Sequence, residues 1–308
     1  MAAISLDLFA VFARVAETGS FSKAARDLGL SKATVSKRVA ELEGAFGVAL
    51  VARTTRRASL TEAGERTLVH AQRILEEADA ARDEALEARA SPRGRLKITA
   101  PITFGLRYLA PILPEFLKAY PDIQLDVSLG DKTVDLIGEG FDAAVRIGAM
   151  EDSSLMARKL APVRAHVVAS PAYWDAFGRP ARPEDLAGHR CFTYANLANA
   201  DAWRFENAGG QRVVVRMESI VAYDNADLVE PAICAGLGVA RQPDFICWRD
   251  LQSGRLEAVL EDWASAELWL HVLTPPGRGA PKKMRAFSDF MHDHFGGGKA
   301  PWVKGRGL

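Results

Sequence analysis

Cysteine is scarce in this sequence: Cys191, Cys234 and Cys247 are the three present in 308 residues, at irregular spacing. That excludes a disulfide framework and a zinc pattern of paired cysteines. It fits a reducing cytoplasm, with buried inert thiols as the plain expectation. Long apolar runs are also lacking, and none reaches the roughly twenty residues that cross a bilayer, so no membrane partner is expected. The opening stretch MAAISLDLFAVF has no basic leader and contains Asp7, so a signal peptide is not expected. Net charge is nil, 39 Lys+Arg against 39 Asp+Glu, so the global balance names no polyanionic partner. Walker, GxGxxG, HExxH and GxSxG patterns are missing, which removes the common sequence signatures of catalysis. His292 and His294 lie two apart on a helical pattern and share no face, so no metal and no cofactor is expected.

What is present is unevenly distributed. The length suits two or three domains, and 48% apolar with 25% charged residues is ordinary for a globular chain. Between Ser31 and Arg57, however, Lys32, Lys37, Arg38, Arg53, Arg56 and Arg57 face only Glu41 and Glu43. A local basic excess in a neutral protein is the footprint of a nucleic-acid-binding module. Apolar positions Leu8, Val11, Phe12, Val15 and Ala16 mark a first helix over 5–18. Ser20 or Ser22 caps a second helix carrying Phe21, Ala24, Ala25 and Leu28, and Gly29 supplies a turn. Ser31 caps a third, in which Val35, Val39, Leu42 and Phe46 form one buried stripe. Lys32, Thr34, Ser36, Lys37 and Arg38 are left outside. Two helices joined by a short turn, the second with polar donors near its N-terminus, read as a helix-turn-helix whose second helix enters the major groove. The stretch LVARTTRRASLTEAG then reads as two short strands around a basic tip. In it Arg53, Thr54, Thr55 and Arg56 can contact phosphates or reach a minor groove.

The run FSKAARDLGLSKATVSKRVAELEGAFGVALVARTTRRASLTEAG resembles the N-terminal domain of LysR-type transcriptional regulators. The small-residue run, the capping Ser, the LE before a Gly-containing break, the R-T-x-R wing and the LT-x-AG start of a long helix stand in the family's order. Where the commoner family form has Gln-Pro and LF-x-R, this chain has Lys32-Ala33 and Leu50-Val51-Ala52-Arg53, which bears on base preference and not on fold. A helix capped at Thr61 continues to about residue 90, roughly 40 Å at about 1.5 Å per residue. Its Leu68, Ala71, Leu75 and Ala78 alternate in steps of three and four, a coiled-coil seam with too little apolar surface for a core of its own. A second subunit is the natural partner, and the resemblance implies dimerisation through this helix, with a dimer or tetramer as the assembly.

From Gly94 onward, strands and helices alternate, which implies parallel sheets covered by helices. GLRYLAPILPEFLKAYP reads as a helix broken by Pro111 and Pro114, and VDLIGEG as a short helix. A second unit starts near Val163, and AELWLHVLTP with KKMRAFSDFMHDHF returns to the first. This order resembles the effector domain of the same family, a two-lobed relative of periplasmic binding proteins. The expected fold class is α/β with an N-terminal all-α winged helix-turn-helix. The expected boundaries are 1–60 for DNA binding, 61–90 for the linker helix and 91–296 for the effector domain. Within the last, lobe I covers 94–162 and 267–296 and lobe II covers 163–266; residues 297–308 lack periodicity and read as a disordered tail. Segments such as FDAAVRIG, VASPAYW and GLGVARQPDF resemble the subgroup that regulates small aromatic or quinone-related metabolism.

A clamshell binds its ligand at strand ends and helix starts in the cleft. Thr103, with Phe104 beside it, follows a strand and precedes a helix, and Thr103 is at the position that contacts effector in the family. Arg146 closes another strand; Tyr223 and Asn225 precede a helix; Gly236 and Gly238 allow close backbone approach before Arg241. The leading expectation is a DNA-binding regulator of an imperfect inverted repeat. It is switched by a small organic effector such as an aromatic acid, with RNA polymerase as a partner that the resemblance implies. A redox switch through Cys191, Cys234 or Cys247 and an enzyme built on the lobes are the alternatives. The first needs a low-pKa exposed thiol, and the second a nucleophile or acid–base pair that no motif supplies.

Overall fold

The structure is a computed structural model that describes residues 4–53, 58–85, 91–149, 155–264, 268–276 and 281–305. The chain divides into two compact units, residues 1–91 with 135–140, and 92–134 with 141–308.

In the first unit, α1 (Leu6–Thr18), α2 (Phe21–Asp27) and α3 (Lys32–Phe46) each begin at a serine that accepts a backbone N–H: Ser5 from Asp7, Ser20 from Lys23 and Ser31 from Thr34. The three apolar stripes meet in one core of Phe12, Val15, Ala24, Val35, Val39, Leu42 and Leu50. Ala24 and Ala25 are fully packed, as small residues at a close helix crossing are. Phe46 departs from the expected stripe: it is 41% exposed, with its ring centroid 6.2 Å from that of Phe9. The helix ends at Gly47, in the left-handed conformation, so its last turn lies beyond the packed surface. Strands β1 (Val51–Arg53) and β2 (Ala58–Leu60) pair antiparallel as the wing, and α4 (Glu62–Ala85) follows.

The second unit holds two five-stranded sheets. Lobe I begins with β3 (Gly94–Ala100) and one long helical segment. This comprises α5 (Ile102–Phe104), a π-turn Gly105–Leu109 and α6 (Ala110–Ala119). Pro111 and Pro114 do not break it, contrary to the sequence expectation. Pro111 sits in the first turn of α6, just after the π-turn, in which the Ala110 N–H bonds to the Gly105 carbonyl five residues back. A Cβ at Gly105 would lie 2.4 Å from a methyl of Leu129 at the end of the neighbouring strand, so that side chain would have to move to admit it. Strands β4 (Ile123–Leu129), β5 (Ala143–Gly148) and β6 (Met156–Val163) complete the outward half of the lobe. Between β4 and β5 the expected short helix is a turn. Asp135 accepts the N–H groups of Ile137 (3.1 Å) and Gly138 (3.0 Å), and Gly140 adopts a positive φ that ends it.

The chain crosses to lobe II between Val163 and Ala165. There the Arg164 backbone is held twice by Asp244, N–H to carboxylate at 3.2 Å and carbonyl to Asp244 N–H at 2.7 Å. Lobe II comprises β7 (Ala165–Ala169), α7 (Pro171–Phe177), β8 (Arg190–Tyr194), β9 (Ala202–Asn207), β10 (Arg212–Arg216), β11 (Glu218–Tyr223), α8 (Glu230–Cys234), β12 (Val239–Pro243), α9 (Asp244–Gln252), β13 (Glu257–Val259) and β14 (Trp263–Ala264). The return is β15 (Leu268–Thr274), α10 (Lys282–Phe295) and α11 (Pro301–Lys304).

Sheet orders are β4-β3-β5-β15-β6 in lobe I and β11-β8-β12-β7-β13 in lobe II, with β10-β9-β14 as a small antiparallel layer. The sheets are mixed, not wholly parallel. The strands next to the crossings, β15 in lobe I and β7 in lobe II, run antiparallel to their neighbours, because each receives the chain from the other lobe. Gly238 allows β12 its place: a Cβ there would lie 2.8 Å from the Arg190 carbonyl.

The disordered tail expected for 297–308 is also corrected. Residues 301–304 form α11, Ala300 and Trp302 are fully buried, and the indole joins Phe104, Tyr108, Phe245 and Phe295 in the aromatic core. A single aromatic anchor among glycines has no periodicity to read; residues 306–308 lie outside the described residues.

Candidate functional site

The N-terminal face is built on α2 and α3. Ser31 is exposed, and its hydroxyl accepts the Thr34 N–H at 3.0 Å and pairs with the Thr34 hydroxyl at 2.8 Å, so these two side chains first serve to start the recognition helix. Lys32 and Lys37 are exposed, and Ser36 and Arg38 half-buried. Lys37 lies 3.8 Å from Glu41, and Arg38 lies 3.9 Å from Asp7. Pairs this long and exposed hold little energy, so both cations stay available to phosphate. Sequence reasoning missed Glu43, whose Oε1 accepts the N–H groups of Leu50 (2.9 Å) and Val51 (3.0 Å) and so fixes the wing to α3. Arg53 ends β1. Thr54, Thr55 and Arg56, expected at the wing tip, lie outside the described residues.

On α4 the expected seam divides. Ala71 is fully buried in the N-terminal core and Leu68 packs against it, because α4 lies along α1 of the same chain. Leu75 and Ala78 are half-buried, and Ile74 beside them is 37% exposed. The half of the seam toward the N-terminus therefore serves this chain's own core. Residues 86–90 of the expected helix lie outside the described residues.

In the second unit, lobes I and II meet through a polar cluster at the start of the long helix of lobe I. Thr103, 4% exposed, donates its hydroxyl to Asp227 at 2.9 Å and accepts from the Asn225 amide at 3.3 Å. The same amide donates to Asp131 at 3.0 Å, and the other oxygen of Asp131 takes the free Ile102 N–H at 3.1 Å. Asn225 caps the turn of residues 226–228 by accepting the Asp227 N–H. Arg107, one turn along from Thr103, donates to Asp227 and Glu230, both at 2.5 Å, and to the Ile246 carbonyl at 3.2 Å. Burial opposes the Arg107 charge, but hydrogen bonds and attraction from Glu230 and Asp227 outweigh it and raise its pKa. Arg255 continues the network, 3.4 Å from Glu230 and paired with the buried Asp250.

The structure thus brings Thr103 and Asn225 together. The other expected residues make contacts of their own. Phe104 is fully buried in the aromatic core. Tyr223 is 3% exposed and accepts from the Gln242 amide at 3.0 Å. Arg146 turns onto its own lobe, donating to the Val145 carbonyl (3.0 Å) and the Thr99 hydroxyl (3.2 Å). Arg241 shares the face of Val239, which belongs to the core beneath the small antiparallel layer, and lies 5.9 Å over the Phe205 ring. Strand alternation explains this, since Ala240 and Gln242 lie on the opposite face of β12, where Ala240 joins the larger core and Gln242 bonds to Tyr223. Arg107, Asp131, Asp227 and Glu230 were missed. The spacing of Thr103 and Arg107 on one helical face was a usable signal for the second of them.

The thiols lack the character a redox switch needs. Burial pushes Cys191 up to about 12; it also raises Cys247 and, less deeply placed, Cys234. Burial thus shifts all three away from the thiolate, which is the reactive form. Among the described residues no cluster of His, Cys, Asp and Glu is arranged to hold a metal ion. No helix among them is long and apolar enough to cross a membrane.

Comparison with known proteins agrees with this architecture. Residues 6–65 match the bacterial regulatory helix-turn-helix protein, lysR family, and residues 89–296 match the LysR substrate binding domain. An HTH-type transcriptional regulator of Xanthomonas campestris pv. campestris is 39% identical over 91% of this chain and 83% of its own length. The structure of CrgA, a LysR-type transcriptional regulator from Neisseria meningitidis, is 31% identical, with a TM-score of 0.59 over 94% of this chain and 98% of CrgA. The full-length Vibrio cholerae virulence activator AphB is 30% identical, with a TM-score of 0.57 over 94% of this chain and 99% of AphB. A capped helix-turn-helix with a basic second helix, followed by two α/β lobes that meet at a polar cleft, is the family's plan, and the chain belongs to the LysR family of transcriptional regulators.

Proposed function

We propose that this regulator binds an imperfect inverted repeat in double-stranded DNA as a dimer or tetramer, and that a small organic effector bound between its lobes sets promoter output. The observation that carries the effector reading is the meeting of Thr103 and Asn225, 3.3 Å apart, from opposite lobes. A ligand touching both lobes favours one closure angle, and it shifts DNA affinity only by its differential affinity for the two states. An aromatic acid is the working effector class, RNA polymerase the partner at the promoter and the cytoplasm the site of action. Catalysis forms no part of this reading.

Lys32 and Thr34 read base edges; Lys37, Arg38, Arg53 and Arg56 contact phosphate, with Ser31, Ser36, Thr54 and Thr55 alongside. Two recognition helices related by a two-fold axis need half-sites about one helical turn apart or a multiple of it. For assembly, Leu75, Ala78 and Ile74 form the pairing surface of α4. The effector lobes pair through the outer stripe of the long helix, where Leu106 is 58% and Leu117 44% exposed. Two separate isologous contacts make a dimer of dimers.

The DNA reading predicts steep salt dependence. With about eight phosphate contacts in a dimer, affinity for a selected inverted repeat is expected to fall about a thousandfold or more between 50 and 200 mM salt, and the Lys37→Ala protein should show a shallower slope, measured by fluorescence anisotropy. Affinity that does not change with salt removes the mechanism. The effector reading predicts that Thr103→Val retains operator binding and loses the promoter response to effector. A wild-type dose response in that variant excludes Thr103 as a contact. Loss of operator binding assigns the hydroxyl a structural role.

A further inference from the structure

The donors of lobe I at the cleft already hold a carboxylate, and it is the protein's own. One oxygen of Asp227 accepts the Thr103 hydroxyl at 2.9 Å, and the other accepts Arg107 Nη2 at 2.5 Å. A hydroxyl and a guanidinium one turn apart on a helix make a two-point clamp for a planar anion.

The two carboxylates on Arg107 differ in how firmly they are held. Glu230 lies on α8, its side chain is 23% exposed, and it is bridged on its far side to Arg255 at 3.4 Å. Asp227 sits in the three-residue turn Ala226–Leu228, its side chain is 35% exposed, and the next residue, Leu228, is 68% exposed. Withdrawing Asp227 leaves Arg107 paired with Glu230 and still bonded to the Ile246 carbonyl. Asn225 keeps its bond to Asp131. The cleft can therefore release this carboxylate without leaving a buried cation alone, which is the costly outcome of breaking a partly buried pair.

We propose that Asp227 is a tethered carboxylate that fills the effector's anion position on Thr103 and Arg107, and that an effector carboxylate binds there by displacing it. This rests on the reading of the cleft as the effector site. A tethered group competes at the high effective concentration its short link provides, so an untethered acid binds with reduced apparent affinity until the tether is removed. It also specifies the effector's recognised end: a carboxylate that replaces Asp227 is accepted, and a neutral amide of the same shape gains nothing.

The test uses the full-length protein with benzoate and benzamide as probes, titrated calorimetrically against wild type, Asp227→Ala and the shape-conserving Asp227→Asn, with folding checked by circular dichroism. Asp227→Ala is expected to bind benzoate at least tenfold more tightly than wild type, with no matching gain for benzamide. Adding Arg107→Met should abolish that gain. If neither Asp227 variant binds benzoate more tightly, or both probes gain alike, the proposal is overturned. Thr103→Val, assayed in parallel for promoter response, separates the two levels. Loss of response there with no gain in Asp227→Ala keeps the cleft as the effector site and rejects the tether. A wild-type response in Thr103→Val rejects the cleft reading itself, and the proposal with it.

Discussion

Trp302→Ala is expected to destabilise the effector unit by about 3–5 kcal/mol, the range for truncating a fully packed large aromatic side chain. For a unit of this size that is a fall in Tm of roughly 10 °C. The indole is fully buried, its Nε1 donates to the Pro162 carbonyl at 3.0 Å, and its ring centroid lies 5.1 Å from Tyr108 and 6.4 Å from Phe104. Tyr108 in turn donates to the Phe245 carbonyl and accepts from the Trp248 indole at 2.9 Å. Removing Trp302 opens a cavity beneath the helix that carries Thr103 and Arg107, and it leaves the Pro162 carbonyl without that donor just before the crossing into lobe II. Calorimetry of the variant and of a chain ending at Gly296 checks this. Two melts within about 2 °C of wild type would show that the tail contributes no packing.

The second large effect is at Lys283. Its ammonium is buried against Asp142, 3.2 Å from Oδ1, and donates to the Arg95 carbonyl at 2.5 Å; the other oxygen of Asp142 accepts the Lys97 N–H at 2.8 Å. Three segments, α10, β3 and the residue that enters β5, are thereby tied at one point. Lys283→Met removes the cation and leaves the carboxylate in the interior, which costs about 3–5 kcal/mol. The double change Lys283→Met with Asp142→Asn is expected to recover part of that loss, since an amide oxygen still accepts from Lys97 and carries no charge. Urea unfolding measures both. A single-variant loss below about 1 kcal/mol would show that the pair is not a structural tie.

Legibility followed sequence distance. Caps at Ser5, Ser20 and Ser31 bond partners two or three residues away, and the apolar stripes of α1 and α3 repeat within single helices, so the N-terminal domain could be read almost residue by residue. Phe46 was misplaced because a helical period says which side a residue is on, not where the neighbouring surface stops. The seam on α4 was overextended for the same reason: Ala71 lies on the apolar side, but α1 of the same chain covers it.

At the cleft, the residue types at Thr103 and Asn225 were readable as a strand end and a helix cap, which are local properties. Their partners were not, because Thr103 and Asp227 are 124 residues apart, Arg107 and Glu230 123, and Trp302 and Pro162 140. Local residue patterns were enough to read the helix-turn-helix, its basic face, the order of α/β units and the family. Each of these is set by dihedral preference, capping and hydrophobic period over a few turns of chain. Long-range packing set the rest: Arg241 over the Phe205 ring, Trp302 in the aromatic core and Asp227 on Thr103 and Arg107. Those contacts depend on which strands become neighbours, and strand order follows from burying two whole sheets at once.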